Sequence, residues 1–197
     1  MYPNKEYLEL VSKYGAYSSW AIWDYKNQKD SSIIDKNIGD LHAKFVLLGL
    51  NISKPLKGSH WINFRLGKHD RKLKYACNET LLRGSYITDI FKGIDEPNSA
   101  KLKNTLTDEL INKNVNLFEQ EMKDIKIDNE TCFIVLGTPN SLLAQYFNKY
   151  FKQKYNNKII YYYHYSYYKL TDRQWVQGLW KKLGIIQNFD EVVKKYE

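Results

Sequence analysis

Seven residues, Phe45 to Asn51, constrain this chain most. They read FVLLGLN: four apolar residues, then glycine, leucine and an amide. A continuous apolar run of that length suits a strand covered on both faces, as in a parallel sheet. Such a strand delivers whatever follows it to the carboxyl edge of the sheet, where open α/β proteins hold their ligands. Gly49 permits a close approach there, and Asn51 adds one donor and one acceptor on a short stem. Asn51 read by itself is equally a turn residue bonding its own backbone.

Three further runs repeat the signature. SYITDIF (Ser85–Phe91), TCFIVLG (Thr131–Gly137) and IIYYY (Ile159–Tyr163) are apolar, β-branched or aromatic. Helical patterns separate them, over His69–Leu82, Leu106–Ile125, a segment opened by Thr138 and Pro139, and one begun by a Thr171/Gln174 capping box. Lys5–Tyr14 and Phe189–Tyr196 read as terminal helices, and Lys26–Asp40 and Ile94–Asn104 as loops. The expected fold is therefore α/β: a three-layer α/β/α sandwich around a small, mainly parallel four-stranded sheet. Residues 1–197 are expected to form a single domain, with 1–40 as an N-terminal extension.

Composition narrows the function. No apolar run approaches the ~20 residues that span a bilayer, and MYPNKEYLEL lacks a secretory pattern. Cys77 and Cys132 have no metal-ligand spacing, so a reduced, cytoplasmic protein without metal is expected. Neither a Gly-rich dinucleotide fingerprint nor a phosphate-cradling GxxxxGK[ST] occurs, which argues against nucleotide cofactors; no cofactor is expected. The net charge of +8 and pI near 9.2 permit a polyanionic partner. Seventeen tyrosines and five tryptophans offer faces on which bases stack, although most such rings serve a core.

Right-handed crossovers bring the strand ends to one edge. Asn51, Asp89, His164 and Ser166 collect there, joined by His60, Trp61, Phe64 and Arg65 from the long segment Ile52–Gly67. An amide, a carboxylate, an imidazole and an aromatic platform together suit a small planar ligand. Taken singly, each has a plain structural alternative as cap, turn or core residue.

These motifs resemble the uracil-DNA glycosylase superfamily over about Phe45 to Trp180. VLLGLN matches the family's first motif, closest to the mismatch-specific branch; YITDIFKG and FIVLGTPN follow in order; HYS stands for the last motif, typically HPS. The resemblance implies a glycosylase acting on a deaminated or mismatched base flipped out of single- or double-stranded DNA. Asn51 would position water, and His164 would donate to the base oxygen. Trp61 or Phe64 would stack on the base, with Gly49, Asp89 and Ser166 as further binding residues. Ser166 and the helix opening at Thr171 would hold phosphate, and Lys54, Lys57, Lys68 and Arg71 would touch the backbone. A monomer is expected. Three positions depart from the pattern: Ile52 and Tyr165 replace prolines, and Asp89 stands where several branches carry an amide. They leave open a catalytically altered protein that binds nucleic acid or a modified nucleotide without excision. An unrelated α/β enzyme pairing His164 with Asp89 is the third reading.

Overall fold

The structure is a computed structural model, and it describes residues 2–52, 56–155 and 157–197. Its centre is a five-stranded sheet in the order β1-β3-β2-β4-β5: β1 (Ser19–Trp20), β2 (His42–Asn51), β3 (Ser85–Phe91), β4 (Cys132–Leu136) and β5 (Lys158–Tyr162). β2 to β5 run parallel. The four-strand expectation is corrected by β1, which pairs antiparallel with β3 through Ser19–Ile87 and Trp20–Tyr86. A two-residue strand inside an aromatic segment has no period from which to be read.

The FVLL run alternates as a doubly covered strand must. Val46 and Leu48 join Tyr86, Phe133 and Val135 in one apolar cluster, while Leu47 joins Ile87 and Ile134 in a second. The first cluster takes in α1 (Asn4–Tyr14), α5 (Asp108–Asp124) and α6 (Leu142–Tyr150) through Leu10, Phe118 and Phe147. The second takes in α3 (Arg71–Cys77), α7 (Asp172–Leu183) and α8 (Phe189–Lys194) through Leu73, Trp175 and Phe189. Two short helices lie where loops were expected, α2 (Ser32–Asp35) and α4 (Ser99–Thr105), the latter capped by the Asn98 side chain. The first 40 residues, expected as an extension, supply β1 and the buried Tyr2, Tyr7, Tyr14, Trp20 and Ile34.

Helix boundaries differ from the pattern where side chains intervene. Expected to Leu82, α3 ends at Cys77, because Thr80 Oγ1 donates to the carbonyls of Ala76 and Cys77 and turns the chain. Leu82 is then buried and Leu81 half exposed. α6 is capped by Ser141, not Thr138; residues 138–141 form a turn closed by Ser141 N–H donating to the Thr138 carbonyl. The Thr171/Gln174 capping box of α7 is present as read. No helix among the described residues is long and apolar enough to cross a membrane.

Strand order places the reversal of direction between β2 and β4: the chain steps from β2 to β3 on one side, then returns to β4 on the other. The crevice beyond the carboxyl ends at such a reversal is the natural ligand site of an open α/β sheet.

Candidate functional site

A cleft of about 980 Å³ opens at that crevice. Asn51 enters it from the end of β2, Asp89 from β3, Gly137 and Thr138 from the turn after β4, and His164 to Tyr168 from the segment after β5. Asn63, Phe64, Lys68 and Asp70 close another side. Asn51, Phe64, Asp89, His164 and Ser166 thus share one cavity large enough for a nucleotide.

Asn51 is oriented by its surroundings. Its Nδ2 lies 2.9–3.1 Å from three carbonyls, those of Ile52, Ile94 and Glu96. Carbonyls only accept, so this atom is the nitrogen, and the bonds tie the end of β2 to the segment after β3. Oδ1 accepts from no described residue and is the acceptor left for a ligand or a water.

His164 is fixed in one tautomer. The Ser166 backbone N–H donates to Nδ1 at 3.2 Å, and Ser166 Oγ lies 2.7 Å from the same nitrogen. A backbone N–H can only donate, so Nδ1 carries the lone pair and the proton of the neutral ring sits on Nε2. Burial, aided by the nearby His69 and Lys72, lowers the imidazole pKa to about 4. At neutral pH the ring is therefore an uncharged N–H donor.

Asp89 is buried at the cleft floor, with Oδ2 accepting from Asn63 Nδ2 at 3.1 Å. Burial raises its pKa to about 7, against the pull of the Asn63 bond and the Lys92 charge. Gly49 is its partner across the ladder, and a Cβ at Gly49 would stand 2.1 Å from Asp89 Oδ1. Glycine is required at position 49 because the carboxyl occupies that space. The same absent Cβ would lie 3.6 Å from Phe64 Cε1, so floor and aromatic wall meet there.

Of the two aromatic candidates, only Phe64 lines the cleft. Trp61 is wholly buried in the first apolar cluster, its indole N–H donating to the Tyr7 hydroxyl, which in turn donates to Asp35. The stacking role offered to Trp61 is thereby excluded. Both residues hold left-handed backbone, φ 62° and 63°. For non-glycine residues this costs roughly 1–2 kcal/mol each, and surrounding bonds hold it: Trp61 N–H to the Gly15 carbonyl, Phe64 N–H to Asn63 Oδ1. Arg65 is also buried, giving Nε to the Trp61 carbonyl and Nη2 to those of Trp20 and Ile22. His60 turns outward to Asp35.

The basic residues divide. Lys68 is exposed at the cleft rim, and Lys57 is exposed but does not line it. Arg71 is paired with Asp172 and lines a separate groove. Lys54 lies outside the described residues.

Sequence reasoning missed several lining or supporting groups. Asn63 positions Asp89. Asp70, also in the cleft and buried, accepts from Gly67 N–H at 2.7 Å and has its pKa raised by burial to about 6. Tyr165 sets its ring 4.1 Å from His164 and edge-on to Phe64 at 6.3 Å. Behind the floor, Lys92 and Glu121 form a buried ion pair at 2.5 Å, and Glu121 accepts the hydroxyls of Ser18, Tyr86 and Thr88. Asn63 stood in plain view inside HWINF, where the aromatic residues drew the reading. His164 and Asp89 share no hydrogen bond, the reach that the third reading required: His164 Nδ1 faces Ser166 and Asp89 Oδ2 faces Asn63. Among the described residues no group of three or more His, Cys, Asp or Glu is placed to hold a metal ion.

Comparison of the chain with protein-family models, curated proteins and solved structures finds no match.

Proposed function

We propose that this chain is a DNA glycosylase that hydrolyses the N-glycosidic bond of a deaminated or mismatched base flipped out of DNA. One observation carries the reading: a free amide acceptor, Asn51 Oδ1, and an uncharged imidazole donor, His164 Nε2–H, belong to the same base-sized cleft at the reversal point of the sheet. The two apolar clusters, one built on α1, α5 and α6 and the other on α3, α7 and α8, fit the three-layer arrangement that goes with it.

The chemistry follows from those two atoms. Asn51 Oδ1 accepts a hydrogen bond from water and aims its oxygen at the sugar carbon. The C–N bond breaks, its electron pair goes to the departing base, and the water oxygen joins the carbon as a hydroxyl, its released proton passing through solvent to the base anion. His164 Nε2–H stabilises charge growing on a base oxygen without transferring its proton, a contribution of roughly 3–4 kcal/mol for a well-placed donor. Phe64 supplies the stacking face. The protein works as a monomer on DNA, in the cytoplasm.

The test is incubation with oligonucleotides carrying uracil, hypoxanthine, xanthine or a mismatched base, in single and double strands, followed by alkaline cleavage. Strand scission with the wild type, falling by about 10²–10³ in Asn51→Ala and His164→Ala, is the expected result. Absence of scission on every substrate overturns it. Binding without scission would favour the catalytically altered reading, which the Tyr165 ring set against His164 specifically suggests.

A further inference from the structure

The cleft and the chain that holds it lean to opposite charge. The chain has a net charge of +8. The cleft is lined by three carboxyls, Asp70, Asp89 and Glu96, and by one lysine, Lys68, which stands exposed at the rim. His164 adds no positive charge at neutral pH, since burial lowers its pKa to about 4.

Two of these carboxyls are buried without a counter-charge. Asp70 is 5 % exposed and Asp89 3 %, and among the described residues neither belongs to an ion pair. Their donors are neutral: Asn63 Nδ2 for Asp89 Oδ2, and the Gly67 N–H for Asp70 Oδ2. Asp89 Oδ1 lies over the bare Gly49 Cα and accepts from no described residue. The cations that act on the two groups are committed elsewhere. The Lys92 ammonium goes to Glu121 and to the Asp89 backbone carbonyl, and the Arg65 guanidinium to three carbonyls. A buried carboxylate with no paired cation is costly, so each group holds its proton until a positive charge arrives beside it. Aromatic faces meet at the same place. Phe64 reaches the cleft floor beside Gly49, and Tyr165 stands edge-on to it, ring centres 6.3 Å apart and planes at 70°. Tyr165 is kept un-ionised by burial first and then by Asp70 and Asp89, so both carboxyls act on the one phenol. Carboxylates at the edge of a planar cation and rings against its face each stabilise it.

We propose that this cleft selects a mispaired base that carries positive charge on its ring, of which N3-methylated cytosine is the type. A methyl group on N3 blocks pairing opposite any partner, so such a base is mismatched wherever it stands and costs less to flip. It also leaves the ring cationic at neutral pH and keeps the O2 oxygen for the His164 Nε2–H. Phe64 takes the face of the ring, and Asp89 with Asp70 supplies the counter-charge. Entry of that base from DNA rests on the glycosylase reading, which this inference narrows from mismatched bases in general to cationic ones.

The proposal carries a sign in pH. Burial raises the Asp89 pKa to about 7 and that of Asp70 to about 6. A cation favours the ionised carboxyls, so its affinity rises as pH rises through that range, whereas a neutral base gains nothing. The titratable and charged groups that face Asp89 are Lys92 beside it, Glu121 on α5, and Asp70, Tyr165, His164 and His69 around the cleft.

The test is titration calorimetry of the full chain with three deoxynucleosides, those of 3-methylcytosine, 3-methyluracil and cytosine. The first is the cation, the second its neutral match in shape, and the third its neutral match in the amino group. At pH 7.5 the cation is expected to bind about tenfold more tightly than either neutral compound. Its affinity is expected to rise about fivefold or more from pH 6 to 7.5. Asp89→Asn removes the charge and keeps the shape, and should cut both the preference and the pH slope; Asp70→Asn should do so to a smaller degree. Equal binding of cation and neutral compounds, a preference that does not grow with pH, a preference kept in full by both variants, or no binding of any compound overturns the proposal. Cation preference with no scission of any oligonucleotide, one carrying 3-methylcytosine included, leaves the proposal standing and removes the glycosylase reading. Release of uracil from DNA without cation preference does the opposite.

Discussion

Two aromatic segments flank the cleft, and they are built in opposite ways. The one after β2, residues 56–67, turns its rings inward: Trp61 is 0 % exposed and Phe64 4 %. The one after β5, residues 163–170, leaves Tyr163 40 % and Tyr168 80 % exposed, with Tyr163 and Tyr167 stacked at 4.9 Å and 12°. Polar anchoring explains the difference better than aromatic content. In the first segment Arg65 reaches inward to three carbonyls, drawing the neighbouring residues into the core. In the second, Lys72 and the Trp175 indole hold the carbonyls of Leu170 and Tyr163 from below, so the backbone is fixed while the Tyr163 and Tyr168 rings stay outside and Tyr165 turns toward Phe64. A wall of the site and a surface beside it arise from similar residues because their hydrogen bonds approach from different sides.

The sharpest way to break this contrast is Arg65→Ala. It removes a guanidinium that is 0 % exposed, takes the Arg65 donor from the Ile22 carbonyl and one of two donors each from those of Trp20 and Trp61, and opens a cavity beside the Trp23 ring, which Arg65 covers at 5.2 Å. The expected loss is about 3–4 kcal/mol in urea unfolding. Arg65→Lys should recover only part, since an ammonium cannot serve a fork of carbonyls. A loss under ~1 kcal/mol would mean that the segment is held by its aromatic packing alone.

A second, smaller effect belongs to the packed side through its carboxyls. Asp89 and Asp70 have folded-state pKa values raised to about 7 and about 6 from 3.8, with burial the main cause in both. A raised carboxyl pKa means that folding favours the protonated form. Stability is thus greatest below the unfolded value and declines as pH rises through the folded one. For Asp89 alone the decline between pH 5 and 7 is about 2 kcal/mol. Denaturant midpoints across that window should show it, and Asp89→Asn should reduce it to the share of Asp70, about 1 kcal/mol. A wild-type stability rising from pH 5 to 7 would contradict the assignment.

Much of the frame was legible because a continuous apolar run has few places to go. FVLLGLN, SYITDIF and TCFIVLG each require cover on both faces, and β2, β3 and β4 provide it. β1 was not legible, since two residues on an edge carry no period. The end of α3 depended on a single hydroxyl, Thr80, bonding backward. Within the site, Asn51 and His164 could be placed at one sheet edge from topology. The choice between Trp61 and Phe64 could not be made: two aromatics three apart in one loop look alike, and what separates them is Tyr7 and Gly15, distant in sequence. The tautomer of His164 was half written, in the serine two positions on. The state of Asp89 was not, because it depends on Asn63 and on burial that the sequence does not reveal.

The gentlest test falls on the open segment. Tyr168 has 80 % of its surface in solvent and a ring tilted against that of Tyr167 at 5.9 Å. If anchoring sets the contrast, this ring does nothing for the fold, and Tyr168→Ala should alter unfolding free energy by less than ~0.5 kcal/mol. It lies at the cleft mouth, bordering also the groove that runs past Arg71 and Arg173, where a strand leaving the cleft would pass. Base-on-ring stacking is worth roughly 1 kcal/mol at its lower end, so the same variant should weaken binding of a single-stranded oligonucleotide about fivefold. Fluorescence anisotropy at fixed salt measures that. A ring that proved costly to fold and indifferent to DNA would place Tyr168 with Trp61, and the two segments would no longer differ in kind.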